Sequence, residues 1–292
     1  MRILLLSCAI FLSLHPIYSQ HVKYAPAWFG PNANPVPEFT DATIPSATTL
    51  QLMGDYYFGY GDITKNGYFK IEIPLLPERV SFKIWTSMFE HYRVTEEVSE
   101  LRQMNGTTSG KANGDFYVQT RILMLKENKR NPAIILNSTL KTASGTNFKE
   151  RRYFDTPGYY FDMEIGKSFF FNNKILNEIR FVGNLGFLCW ETTNSTQNDA
   201  PMYGGKMIAR INQWQWENTI AGYYGWMHTH PFYGSDYGDT PLVYSTKLTF
   251  KRKKIVYFAQ YQYGIKDYPY HQLRVGVSFK IEKLTPQYIN IK

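Results

Sequence analysis

The chain is short of cysteine, has no long apolar run beyond its first residues and shows almost no helical periodicity. Each shortage removes a class of protein. Two cysteines in 292 residues, Cys8 and Cys189, cannot build a disulfide scaffold. No stretch of 18 or more apolar residues follows the N-terminus and the mean hydropathy is -0.36, which excludes a bundle of transmembrane helices. No nucleic-acid-binding motif is present. Aromatic residues, in contrast, are abundant: 20 Phe, 6 Trp and 23 Tyr make up 17% of the chain. That content excludes disorder and supplies a large apolar interior or a large apolar exterior. One membrane architecture is invisible to mean hydropathy. A β-barrel alternates apolar and polar residues, so it averages like a soluble chain while every second side chain faces lipid.

The first twenty residues read as an address. Met1 and Arg2 form a basic start, residues 3–14 are apolar, and His15-Pro16-Ile17-Tyr18-Ser19 breaks the run and ends on a small residue. This is the pattern of a secretory signal peptide over 1–20, with cleavage after Ser19 or Gln20. Its loss leaves Cys189 as the single cysteine and lowers the net charge from +8 to about +7, because Arg2 is the only charge removed. A basic exported chain is expected to meet anionic surfaces such as lipopolysaccharide. Residues 21–48 carry Pro26, Pro31, Pro35, Pro37 and Pro45 and do not alternate. They are expected to run extended, either tucked into a lumen as a plug or free as a periplasmic leader.

From residue 49 onward, twelve segments rich in Tyr, Phe, Ile, Val and Thr alternate with period two: 49–60, 68–74, 79–91, 115–127, 133–142, 159–171, 177–192, 202–212, 216–227, 242–251, 255–265 and 271–281. Their connections alternate in length. Residues 75–78, 128–132, 172–174, 213–215 and 252–254 are short, whereas 61–67, 92–114, 143–158, 193–201 and 228–241 are mostly long, polar and Gly-rich, with 266–270 shorter. A soluble β-sandwich has no reason to sort its loops by length. An outer-membrane barrel has an even strand number, short periplasmic turns and longer extracellular loops. The sequence therefore predicts an all-β chain, a 12-stranded antiparallel up-and-down transmembrane β-barrel over 49–282, with a tail at 283–292.

The two faces of each strand agree. Leu273, Val275, Val277 and Phe279 lie opposite Arg274, Gly276, Ser278 and Lys280; Tyr159, Phe161 and Met163 lie opposite Tyr160, Asp162 and Glu164. A charge on the lipid face near the midplane costs roughly 2 to 4 kcal/mol, so the charged rows are expected to face the lumen. Alternation places Asp55, Glu72, Asp115, Asp162 and Glu164 inward, together with Lys70, Lys83, Arg121, Lys141, Arg180, Lys206, Arg210, Lys247 and Arg274, nine bases against five acids. Two readings stay open: a salt-bridged interior, or a passage with a mild anion preference in which Arg121, Arg180, Lys206, Arg210 and Arg274 touch the solute.

The stretch Gln272-Leu273-Arg274-Val275-Gly276-Val277-Ser278-Phe279 resembles the final-strand signal read by the outer-membrane assembly machinery, although thirteen residues follow Phe279. Leu140-Lys141-Thr142-Ala143-Ser144-Gly145 with Asp155-Thr156-Pro157-Gly158-Tyr159-Tyr160-Phe161-Asp162 resembles a strand, loop and Gly-turn pattern of Gram-negative outer-membrane barrels. That pattern is loosely similar to the channels associated with aromatic-compound degradation and to the fatty-acid channels. The resemblance implies an outer-membrane location and a channel or transporter for a small solute, with membrane lipids and the assembly machinery as partners.

Catalysis finds little support. His228-Thr229-His230 with Ser235 and Asp236 contains residue types of a lipid hydrolase, but no motif resembles the His-Ser-Asn arrangement of the outer-membrane phospholipase, and a loop rich in Gly and Pro is a poor platform for a nucleophile and its base. As metal ligands, the two histidines with Asp236 or Asp239 lack a clear further donor. No enzyme, metal or cofactor is expected, and Glu90-His91 reads as a polar pair at the membrane interface. The alternatives to a channel are a hydrolase using His228 or His230 and a non-conducting barrel that displays its 92–114 loop.

Overall fold

Strict alternation makes one face of each strand apolar, and a closed barrel is the arrangement that presents such faces outward while leaving no sheet edge unpaired in lipid. The computed structural model describes residues 25–172, 175–192, 196–225 and 237–286. Its strands are β1 (Thr48–Gly59), β2 (Asp62–Leu76), β3 (Val80–Val94), β4 (Ser109–Ala112), β5 (Tyr117–Leu125), β6 (Ala133–Lys141), β7 (Gly158–Phe170), β8 (Glu178–Thr192), β9 (Thr196–Ile211), β10 (Trp214–Tyr223), β11 (Leu242–Arg252), β12 (Ile255–Lys266) and β13 (His271–Ile281). All pairings are antiparallel between neighbours, and β13 pairs with β1 to close the ring. β4 is extra: it pairs only with the outer end of β3, leaving twelve strands in the wall. The twelve-stranded expectation is met.

The outer surface is apolar around the ring. Leu52, Ile122, Leu136, Phe161, Phe181, Leu185, Ile220, Leu248 and Val275 are exposed, each on a different turn of the alternation from its buried polar neighbours. Aromatic side chains mark both rims, with Phe169, Phe170, Trp214 and Tyr257 at one and Tyr56, Tyr203 and Tyr263 at the other. Such a belt needs lipid, and the barrel spans the outer membrane. The rim that holds Thr48 and Ile281, where the first wall strand begins and the last one ends, is the rim of the short turns and faces the periplasm. There Thr48 donates its backbone N–H to Thr285 Oγ1 at 2.8 Å and its hydroxyl to the Leu284 carbonyl at 3.0 Å, which ties the ends together. Val275→Arg is expected to cost about 2 to 4 kcal/mol in unfolding from liposomes, while Leu284→Arg, beyond the last strand, should cost about 0 to 1 kcal/mol.

Three details differ from the sequence expectation. The 61–67 loop is absent: Tyr60 and Gly61, both with positive φ (50° and 66°), make a two-residue turn, and the β1–β2 hairpin continues above the membrane. Similarly, β9 begins at Thr196, so the long connection expected at 193–201 shrinks to three residues. Among the described residues, loop asymmetry thus rests on 95–116 and 142–157. The first of these contains β4 and a short helix, α1 (Glu96–Leu101), whose N-cap Thr95 accepts from the Val98 N–H at 3.4 Å.

Glu90 also differs. The β2–β3 register slips between Gly67 and Tyr68, leaving Met88 unpaired as a bulge. Below the bulge Ser81, Lys83 and Trp85 face inward; above it Glu90, Tyr92 and Val94 do. Glu90 is therefore fully buried in the lumen and not part of an interfacial pair with His91.

Candidate functional site, the barrel lumen

The lumen is occupied. Residues 25–47 form no strand, yet most are buried, and they thread the barrel from its extracellular mouth down to Thr48. Prolines suit this path because a backbone that pairs with no neighbouring strand loses nothing by lacking N–H groups. Side chains of the wall and loops hold the segment at the mouth and at mid-depth.

At the mouth, the inward-folded loops clamp it. Trp28, Phe29 and Ala33 pack with Phe154 of the 142–157 loop. Arg102, just after α1, bonds Asp62 at 2.6 Å, Tyr270 at 2.5 Å and the Ala27 carbonyl at 3.4 Å. Arg152 bonds Asp62 at 2.7 Å, Glu90 at 2.7 Å and Thr64 at 2.6 Å, with its guanidinium 4.5 Å from the Tyr92 ring centre. Glu90 also accepts from Tyr153 at 3.0 Å and from Asn32 of the segment at 2.6 Å. The side chains of Arg102, Arg152, Asp62 and Glu90 are all fully buried. A Cβ at position 30 would sit 2.4 Å from Arg152 Cζ, so a larger residue there has to push the guanidinium away from its partners Asp62 and Glu90.

At mid-depth, Glu164 of β7 is the anchor, accepting from the Thr40 N–H (2.8 Å), the Thr40 hydroxyl (2.7 Å) and the Ala42 N–H (3.1 Å). Glu38 of the segment accepts from Arg274 at 2.6 Å and Lys70 at 3.3 Å.

The five basic residues singled out in the sequence all point inward, and all five touch the segment. Arg121 bonds the Thr43 carbonyl (3.0 Å) and the Thr40 hydroxyl, and pairs with Glu72 (2.7 Å) and Glu164 (3.1 Å). Arg180 donates to the Asp41 (2.6 Å) and Ala42 (3.3 Å) carbonyls and pairs with Glu127. Lys206 donates to the Phe39 carbonyl at 2.6 Å and lies 3.7 Å from Glu217. Arg210 pairs with Glu178 (2.6 Å) and Asp41 (3.2 Å). Arg274 takes both oxygens of Asp55 at 2.6 and 2.8 Å as well as Glu38. A ring of free cations is therefore not what lines this lumen. The nine-to-five excess counted from the wall is offset by Glu38 and Asp41 on the segment and by Glu127, Glu178 and Glu217 on the wall.

Sequence reasoning missed Asp62, Glu90, Arg102 and Arg152. The first two were hidden by the hairpin extension and the bulge, and no local signal marked the two loop arginines. His228, His230, Ser235 and Asp236 lie outside the described residues, as do 1–24 and 287–292.

Space remains beside the segment. A cavity of about 70 Å³ lies toward the mouth among Tyr57, Tyr68, Trp85, Tyr117 and Trp190, and one of about 320 Å³ lies toward the periplasm against β10, β11 and β12. Glu38, Lys70 and Lys83 line both.

Fold and lumen together define a class: a closed 12-stranded outer-membrane β-barrel filled by its own N-terminal segment. Solved structures share the fold. The chain is similar to the NanC porin (12% identity, TM-score 0.52, covering 80% of this chain and 100% of that one). It is similar also to an outer-membrane channel from Pseudomonas putida F1 (10% identity, TM-score 0.54, covering 84% and 100%). No family model matches the sequence, and no curated protein does.

Proposed function

We propose that the protein passes a small solute across the outer membrane through this lumen, and that residues 25–47 are a plug which shifts to open it. The observation that carries the reading is how the plug is attached: it makes no ladder with the wall and is held by side chains, in a lumen that already contains a 320 Å³ cavity alongside it. A wall-filled barrel would have nothing to move. The two extracellular loops fold inward onto the plug, which supports passage over loop display, and the channel named among the fold relatives fits a transport role without catalysis. Export by a signal peptide, insertion by the assembly machinery and contact with lipopolysaccharide belong to the same proposal.

Full-length protein in planar bilayers tests it. The wild type is expected to open rarely. Glu164→Ala removes three hydrogen bonds to the plug, and hydrogen bonds to a charged group contribute about 1.5 to 3 kcal/mol each. Because about 1.4 kcal/mol is a factor of ten, the open fraction should rise at least tenfold. Absence of conductance or solute flux in both proteins would overturn the reading.

A further inference from the structure

At mid-depth one side of the wall carries cations that its own acids do not match. Lys70 of β2, Lys83 of β3 and Arg274 of β13 line the same cavity. Among the described residues, the one wall carboxylate within ion-pair distance of any of them is Asp55, bound by Arg274. The other carboxylate is Glu38, brought in by the plug. Its environment is amphipathic. Arg274 lies 5.0 Å above the Tyr68 ring and Lys83 5.2 Å above the Trp85 ring, and Trp85 stacks on Tyr117 at 5.1 Å. Val36 packs into the same aromatic cluster, so the occupant consists of an apolar body with a carboxylate attached. The Glu38 side chain keeps 47% of its surface exposed, since both cavities open onto it, and a dissolved competitor has a route to its partners.

We propose that Lys70, Lys83 and Arg274, flanked by Tyr68 and Trp85, form a binding site for a small solute that joins one carboxylate to an apolar, ring-sized body, and that Glu38 with Val36 and Pro37 is its resident stand-in. A solute carboxylate displaces Glu38 from Arg274 and Lys70, its body displaces Val36 and Pro37 from the rings, and the plug loses its mid-depth hold. The release step rests on the passage reading; the binding site does not.

Benzoate is the probe, with benzamide as its uncharged counterpart, titrated into the purified full-length protein in detergent and followed by calorimetry and tryptophan fluorescence. Glu38→Gln removes the internal competitor and should bind benzoate at least tenfold more tightly than the wild type. Adding Lys83→Met, which breaks no ion pair, should weaken that binding several-fold, and benzamide should bind neither variant. An unchanged affinity in Glu38→Gln, or equal binding of benzamide, would overturn the site. Binding of benzoate that follows this pattern without any effect on bilayer conductance would support the site and count against passage alone.

Discussion

Replacing Arg152 with methionine is expected to cost about 3 to 5 kcal/mol of stability, the range for removing one partner from a buried ion pair. Arg152 bonds Asp62 and Glu90 with all three side chains fully buried. Asp62 would keep Arg102, but Glu90 would be left with only the neutral donors Asn32 and Tyr153. An ionised carboxylate stranded away from water is the costly product. The double variant Arg152→Met with Glu90→Gln should recover a large part of the loss, because removing both charges removes the stranding. Urea unfolding in liposomes measures both. Arg152→Met is also expected to make the 142–157 loop a site of rapid proteolysis, since its Phe154 contact and the Gly30 N–H bond to the Arg151 carbonyl (2.8 Å) depend on the same corner. A loss under about 1 kcal/mol would mean that the network does not close the mouth.

The wall was legible in the sequence because alternation is local. Twelve segments were readable from residues a few positions apart, and the inward charges followed from parity alone. Where the chain breaks parity, the reading failed. Met88 bulges, and everything beyond it on β3 turns over, so Glu90 faces the lumen where unbroken parity puts it at the interface. The hairpin tips were read as loops because Thr64 and Asn66 are polar, but above the lipid a strand needs no apolar face. Glu178 and Glu217 share parity with Arg180 and Thr219 and were open to the same argument as the bases. Counting them would have removed part of the apparent anion preference. The contacts of the plug were not legible at all. A segment that pairs with nothing has no period, and its bonds to Glu164, Arg180 and Lys206 span more than a hundred residues.

The plug claim has a direct test in a reversible tether. A Cβ placed on Gly166 would lie 2.8 Å from Ala42 Cβ, about 1 Å closer than the mean separation in a disulfide, so a small outward shift of the segment suits Ala42→Cys with Gly166→Cys. The same Cβ would lie 2.5 Å from Arg180 Nη2, which has to give up its 3.3 Å bond to the Ala42 carbonyl, so the reduced double cysteine is the reference for the oxidised one. Cys189, buried in β8, is replaced by serine so that the new pair has no rival. In the Glu164→Ala background, where openings are frequent, oxidation of the pair is expected to reduce bilayer conductance at least tenfold, and reduction is expected to restore it. Equal conductance in the two redox states, with the disulfide confirmed by mass, would contradict the account: the solute path would then not depend on where residues 25–47 lie.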